Sequence, residues 1–150
     1  MMLALGSDHV GYELKVKIEK YLEEKGIKYI DCGSFGTDRV DYPKYAMKVA
    51  KEIISGKCDK GILFCGTGVG MAIAANKIKG IRAVVCSEPY SASLSRAHND
   101  TNVLALGSRV VGVELAKMIV DQWLNTSYEG GRHQNRLDQI SKIERGEYID

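Results

Sequence analysis

Residues 61–77 read Gly61-Ile62-Leu63-Phe64-Cys65-Gly66-Thr67-Gly68-Val69-Gly70-Met71-Ala72-Ile73-Ala74-Ala75-Asn76-Lys77. A short apolar run, a glycine-rich turn and a helical pattern follow one another, which is the strand–turn–helix step of an α/β protein. A thiol stands at the turn. Such a turn aims backbone N–H groups and the positive end of a helix at one point. A cysteine held there ionises more easily and can serve as base or nucleophile. The same N–H groups can hold a phosphate or a developing oxyanion. A plain tight turn around a buried, inert cysteine is the competing reading.

Working outward, four more short β-type runs lie at 2–6, 28–32, 82–86 and 103–107. Helical patterns separate them, at 12–25, 43–55, 69–77, 89–98 and 113–125. In the first, Leu14, Ile18, Tyr21 and Leu22 recur at helical spacing. Gly26 and Gly56 are helix stops, and Pro43 sits near a helix start where its missing N–H costs nothing. Several strands are nearly all apolar, as in a parallel sheet covered on both faces. Five β–α units predict a three-layer αβα sandwich, doubly wound around a five-stranded parallel sheet, with right-handed crossovers and one domain over 1–150. An extra C-terminal helix follows the Gly130-Gly131 break, with Leu137, Ile140 and Ile143 as a narrow apolar stripe. It packs on its own domain or reaches a partner subunit; the completeness of the five-unit domain favours the partner.

Bulk properties narrow the classes. The 150 residues are 45% hydrophobic and 27% charged, ordinary for a globular domain, and the net charge of +2 implies no strong pull toward nucleic acid or membrane. No apolar run approaches the ~20 residues of a membrane span. The first six residues, Met1 to Gly6, lack the basic flank and length of a signal peptide. Cys32, Cys58, Cys65 and Cys86 lack metal-binding spacing, so no metal is expected and the thiols read as those of a reducing cytoplasm.

Ligands of open α/β sheets bind outside the carboxyl ends of the strands. Those ends carry Ser7-Asp8-His9, Gly33-Ser34, Cys65 through Gly70, and Gly107-Ser108-Arg109. The glycine turn is not a dinucleotide fingerprint, since Met71 occupies the place of the third glycine. It lacks the lysine of a phosphate-binding NTPase loop and the arginine of a cysteine phosphatase. A phosphate cradle or an oxyanion hole remains. Asp8 either caps a helix or handles sugar hydroxyls, and His9 is solvated or binds an anion. His98-Asn99 ends a helix, where the imidazole answers the dipole or acts as a general acid. Arg132 and Arg136 share a helical face suited to a phosphate, or to solvent. Arg109 joins them or pairs with a carboxylate. Tyr42 bonds a ligand or packs.

Together the pieces resemble the type B ribose-5-phosphate isomerases, a family that includes allose-6-phosphate and galactose-6-phosphate isomerases. The matching stretches are Gly6-Ser7-Asp8-His9-Val10-Gly11, Asp41-Tyr42-Pro43, Cys65-Gly66-Thr67-Gly68-Val69-Gly70-Met71 with Ala74-Ala75-Asn76-Lys77, Ala97-His98-Asn99-Asp100, Asn102 through Arg109, and Arg132-His133. They run in family order over essentially the whole chain. The resemblance implies a Rossmann-like fold and reversible conversion of ribose 5-phosphate to ribulose 5-phosphate without metal or other cofactor. It implies a homodimer with shared sites, or a tetramer. Cys65 is then the base, Thr67 and the N–H groups of Gly66, Gly68, Val69 and Gly70 the enediolate cradle, and His98 the ring-opening group with Asp8 on the sugar. His9, Arg109, Arg132 and Arg136 become phosphate ligands and Asn99 a sugar ligand, His98 and Asn99 coming from the partner chain. Some members use a glutamate just after the loop. Here Ala72-Ile73-Ala74 offers no carboxylate, which favours the thiol subtype. Rival expectations are a hexose-phosphate isomerase such as one for allose 6-phosphate, one subunit of a hetero-oligomeric isomerase, and a non-catalytic sugar-phosphate-binding protein.

Overall fold

The computed structural model describes residues 1–148, so the last two residues of the expected 1–150 domain lie outside the described residues. Strands and helices alternate as β1 (Met2–Ser7), α1 (Tyr12–Glu24), β2 (Lys28–Asp31), α2 (Tyr42–Ile54), β3 (Lys60–Cys65), α3 (Val69–Ala75), β4 (Ala83–Val85), α4 (Pro89–Asn99), β5 (Val103–Gly107) and α5 (Val113–Asn125), with α6 (Arg132–Glu144) appended. All strand pairs are parallel, in the order β2-β1-β3-β5-β4. The expected three-layer sandwich is present.

Alternation along the central strands sorts residues onto two faces. Leu3, Leu5, Ile62, Phe64, Leu104 and Leu106 meet α1, α4 and α5 in one core, through Leu14, Ile18, Ala92, Ile119 and Trp123. Ala4, Leu63, Cys65 and Ala105 face α2 and α3, through Val49, Ala50, Met71 and Ala75. The second face is lined by smaller side chains. At Gly61 a Cβ would lie 2.5 Å from Val49, so the bare backbone lets α2 settle close to the sheet. The steps β1→β2 and β4→β5 run one way along the sheet with their helices on the first face. The steps β2→β3 and β3→β4 run the other way with theirs on the second, as a single crossover hand requires. The direction reverses between β1 and β3, and the crevice outside their carboxyl ends is where such sheets bind ligands.

Two boundaries and one packing arrangement depart from the sequence reading for identifiable reasons. The edge strand β4 keeps only Ala83–Val85 of the expected 82–86. Arg82 instead turns its guanidinium onto the carbonyls of Asn99 and Asp100, at 3.0 and 2.7 Å. Helix α3 stops at Ala75 rather than 77, because the Asn76 amide pairs with the backbone of Ala83, at 2.7 and 2.9 Å. Helix α6 packs on its own domain: Leu137 and His133 are buried, and Glu144 accepts the Gly80 N–H at 2.9 Å. Only Ile140 and Ile143 of its stripe stay exposed. The stripe is therefore divided, because His133 and Leu137 lie one turn apart on the side facing the domain. No helix among the described residues is long and apolar enough to cross a membrane.

Candidate active site

Cys65 closes β3 in the crevice between β1 and β5, and its thiol is buried. The chain turns at Gly68, whose φ of +82° would strain any larger residue. That turn brings the Gly68 N–H to 3.0 Å from Cys65 Sγ, a donor placed to stabilise negative charge on sulfur. Helix α3 has only seven residues, so the electropositive character here comes from loop N–H groups more than from a long helix dipole. Burial pushes Cys32 and Cys86 up to about 11 and raises Cys58 as well. Those three are packing residues, as the sequence suggested.

Neighbouring strand ends build the rest of this edge. After β1, Asp8 accepts the N–H groups of Val10 and Gly11 at Oδ1, at 2.9 and 2.8 Å. This holds the start of α1 and leaves Oδ2 without a protein donor among the described residues. The loop after β2 returns over His9, whose Nδ1 accepts the Val40 N–H at 3.3 Å. The neutral ring therefore carries its proton on Nε2, ready to donate to an anion. That loop is anchored by the fully buried Lys15, which pairs with Asp31; Asp31 also accepts the Gly33 N–H at 2.8 Å. Tyr42, at the start of α2, lies against the loop, since a Cβ on Gly70 would be 2.9 Å from its ring. After β5, the Ser108 and Arg109 N–H groups donate to Cys65 and Gly66 carbonyls at 2.8 and 3.0 Å. The exposed Arg109 side chain runs alongside Gly66. Asp8, His9, Tyr42, Cys65, Gly66, Thr67, Gly68, Val69, Gly70 and Arg109 thus share one edge.

His98, Asn99, Arg132 and Arg136 do not join them within the chain. Helix α4 begins at the carboxyl edge and runs back, so its last residues lie at the amino ends of the strands. There Arg82 Nε, just before β4, donates to Asn99 O at 3.0 Å, and Asn102, just before β5, accepts the Arg82 N–H at 2.8 Å. Helix α6 starts beside them. The His98 and His133 rings stack with centroids 4.2 Å apart and planes 11° apart. Both Nε2 atoms face Glu129 Oε2, at 3.8 and 3.5 Å. Arg132 and Arg136 are exposed on the same helix. Sequence reasoning missed Glu129 and the stacking role of His133. The available signal was the four-residue spacing from Glu129 to His133 across the glycine pair.

The chain therefore carries two clusters of candidate residues on opposite edges of the sheet. One holds a thiol, N–H donors and two cationic or imidazole groups. The other holds two stacked imidazoles, an amide and two guanidinium groups. The first can remove a proton and stabilise an oxyanion; the second can protonate an oxygen and hold a phosphate.

Comparison with known proteins identifies the family. Residues 3–140 match the model of the family described as Ribose/Galactose Isomerase. The chain is 63% identical over 142 residues to ribose-5-phosphate isomerase B of Escherichia coli, covering 95% of each. It is 42% identical over 148 residues to D-erythrulose-4-phosphate isomerase of Pectobacterium atrosepticum, covering 98% of this chain and 97% of the relative. Ribose-5-phosphate isomerase B of Clostridium thermocellum superimposes with a TM-score of 0.96 at 52% identity, covering 97% of this chain and 99% of the other.

Proposed function

The chain belongs to the ribose/galactose isomerase family and is an aldose–ketose isomerase that interconverts ribose 5-phosphate and ribulose 5-phosphate; we propose that Cys65 is its base and that each site is completed by a second copy of the chain. The observation that carries the proposal is the Gly68 N–H at 3.0 Å from Cys65 Sγ, in the crevice between β1 and β3. The placement of His98 on the opposite edge supports a shared site in a homodimer, which a tetramer would contain twice. The whole chain works as a single domain in the cytoplasm.

Ring opening comes first. His98 of the partner subunit gives its proton to the ring oxygen, Asp8 takes the proton of the anomeric hydroxyl, and the bond from C1 to the ring oxygen breaks to leave an aldehyde. The Cys65 thiolate then removes the proton on C2. Charge moves onto the C1 oxygen, where the N–H groups of Gly66 through Gly70 and the Thr67 hydroxyl hold it. Such preorganised donors contribute ~10²–10³ in rate apiece. Return of the proton to C1, with transfer of a proton from O2 to O1, yields the ketose. No metal or cofactor takes part in these steps. His9 and Arg109, with Arg132 and Arg136 of the partner subunit, grip the phosphate and fix the reacting carbons over the thiol. Tyr42 and Asn99 of the partner subunit meet sugar hydroxyls.

Cys65→Ala tests this reading. It abolishes isomerisation and preserves sugar-phosphate binding; near-full turnover would remove the base assignment. Turnover of ribose 5-phosphate against allose 6-phosphate, with chelator present, tests substrate length and metal independence together. Preference for the hexose would move the enzyme to the six-carbon branch of the family. Binding without turnover of either would support a sensor.

A further inference from the structure

Resting on the reading of His98 as the ring-opening acid, we propose that Glu129 and His133 are positioning residues for it. They hold its ring in place, His133 by stacking on it and Glu129 by facing its Nε2. His133 is buried beneath the His98 ring, the planes 11° apart and the centroids 4.2 Å apart. Stacking fixes the plane of the His98 ring, and Glu129 Oε2 faces both Nε2 atoms, at 3.8 and 3.5 Å, which fixes the direction in which the rings point.

The carboxylate is fixed by the backbone. Glu129 N donates to Ala97 O at 3.0 Å, tying the loop to the residue before His98, and His133 N donates to Gly130 O at 3.1 Å. Gly130 and Gly131, both with positive φ, make the turn that lets one short segment supply carboxylate and ring. Asp100 binds Arg96 at 2.7 Å and Arg82 at 3.0 Å, which leaves Glu129, among the described residues, as the acidic group that faces the rings. Arg132 and Arg136 lie on the exposed side of α6, where the phosphate is expected. When His98 has given its proton to the ring oxygen, solvent returns one to it.

The test isolates ring opening in a Cys65→Ala background, where isomerisation is absent. NMR exchange spectroscopy follows enzyme-accelerated interconversion of the ribose 5-phosphate anomers. Glu129→Gln and His133→Asn each lower that exchange about tenfold, with sugar-phosphate Kd held within about twofold. Glu129→Asp restores part of the rate. Because Glu129 is largely exposed, its substitution leaves the fold intact even if His133→Asn does not. If His98→Asn abolishes the exchange while Glu129→Gln leaves it unchanged, the inference falls and the role of His98 stands. If His98→Asn itself leaves the exchange untouched, the ring-opening assignment and this inference fall together.

Discussion

Gly107→Ala probes the cradle without touching a group that reacts. Gly107 ends β5, and a Cβ there would lie 2.8 Å from the Cα, carbonyl carbon and oxygen of Thr67. Ordinary contact begins at 3.4 Å, so one backbone must retreat by about 0.6 Å. The end of β5 is clamped, since Val110 and Val111 donate to Gly107 O and Ser108 donates to Cys65 O. The loop therefore yields, and the Gly68 N–H leaves the 3.0 Å contact with the thiol. Overpacking of this kind costs about 1–3 kcal/mol. For a chain of this size the melting temperature falls by roughly 4–8 °C at 2 kcal/mol. A 1 Å misplacement of reacting groups can cost ~10² in rate, so kcat falls about 10- to 100-fold. Steady-state ribose 5-phosphate turnover and thermal denaturation by circular dichroism read the two effects. Gly112→Ala is the control for turnover, because nothing lies within 4 Å of its Cβ position and it should leave kcat unchanged. A Gly107→Ala enzyme with kcat within twofold of the parent would refute the claim that this close approach positions the cradle.

Lys15→Met strands Asp31 and Glu19 beside each other, at a cost of about 3–5 kcal/mol at pH 7. Burial already raises the Glu19 carboxyl. Without the cation that holds it down, the Glu19 carboxyl takes up a proton more readily folded than unfolded, so the deficit shrinks as pH falls toward ~4. Urea denaturation at the two pH values reads this, and equal deficits would overturn it. Iodoacetamide at pH 8 should modify Cys65 before the other cysteines, with ribose 5-phosphate protecting it. Cys32 and Cys86, pushed up to about 11, are ionised to only about one part in a thousand. Peptide mass spectrometry showing simultaneous labelling would contradict that order. Arg136→Ala should raise KM roughly tenfold and spare kcat; an unchanged KM would make it a surface arginine.

The sandwich was legible because the apolar runs of β1, β3 and β5 are long enough to be buried on both faces, and because Gly26, Gly56 and Pro43 mark helix ends. The strand order was not, although β4 is short and partly exposed as an edge strand should be. Nothing local in the sequence says that β5 lies between β3 and β4. The carboxyl-edge cluster of candidate residues was legible from the rule that ligands bind beyond strand ends. The other cluster was legible residue by residue, but its distance from Cys65 follows only from the return direction of α4. Lys15 escaped notice because it stands beside Leu14 in a stripe read for its apolar members. Its burial depends on Asp31, a residue of another element. Glu129 escaped because its partners, His98 and His133, come from two helices that meet only in three dimensions.

Subunit complementation tests most directly whether the thiol and the acid come from different chains. Cys65→Ala and His98→Asn homodimers are each expected to be inactive. Coexpressed, they form mixed dimers in which one of the two sites holds both an intact Cys65 and an intact His98 of the partner subunit. Random assortment then restores about a quarter of the parental activity. A mixture as inactive as its parents, with mixed dimers verified by mass spectrometry, would place both residues in a single-chain site and contradict the account.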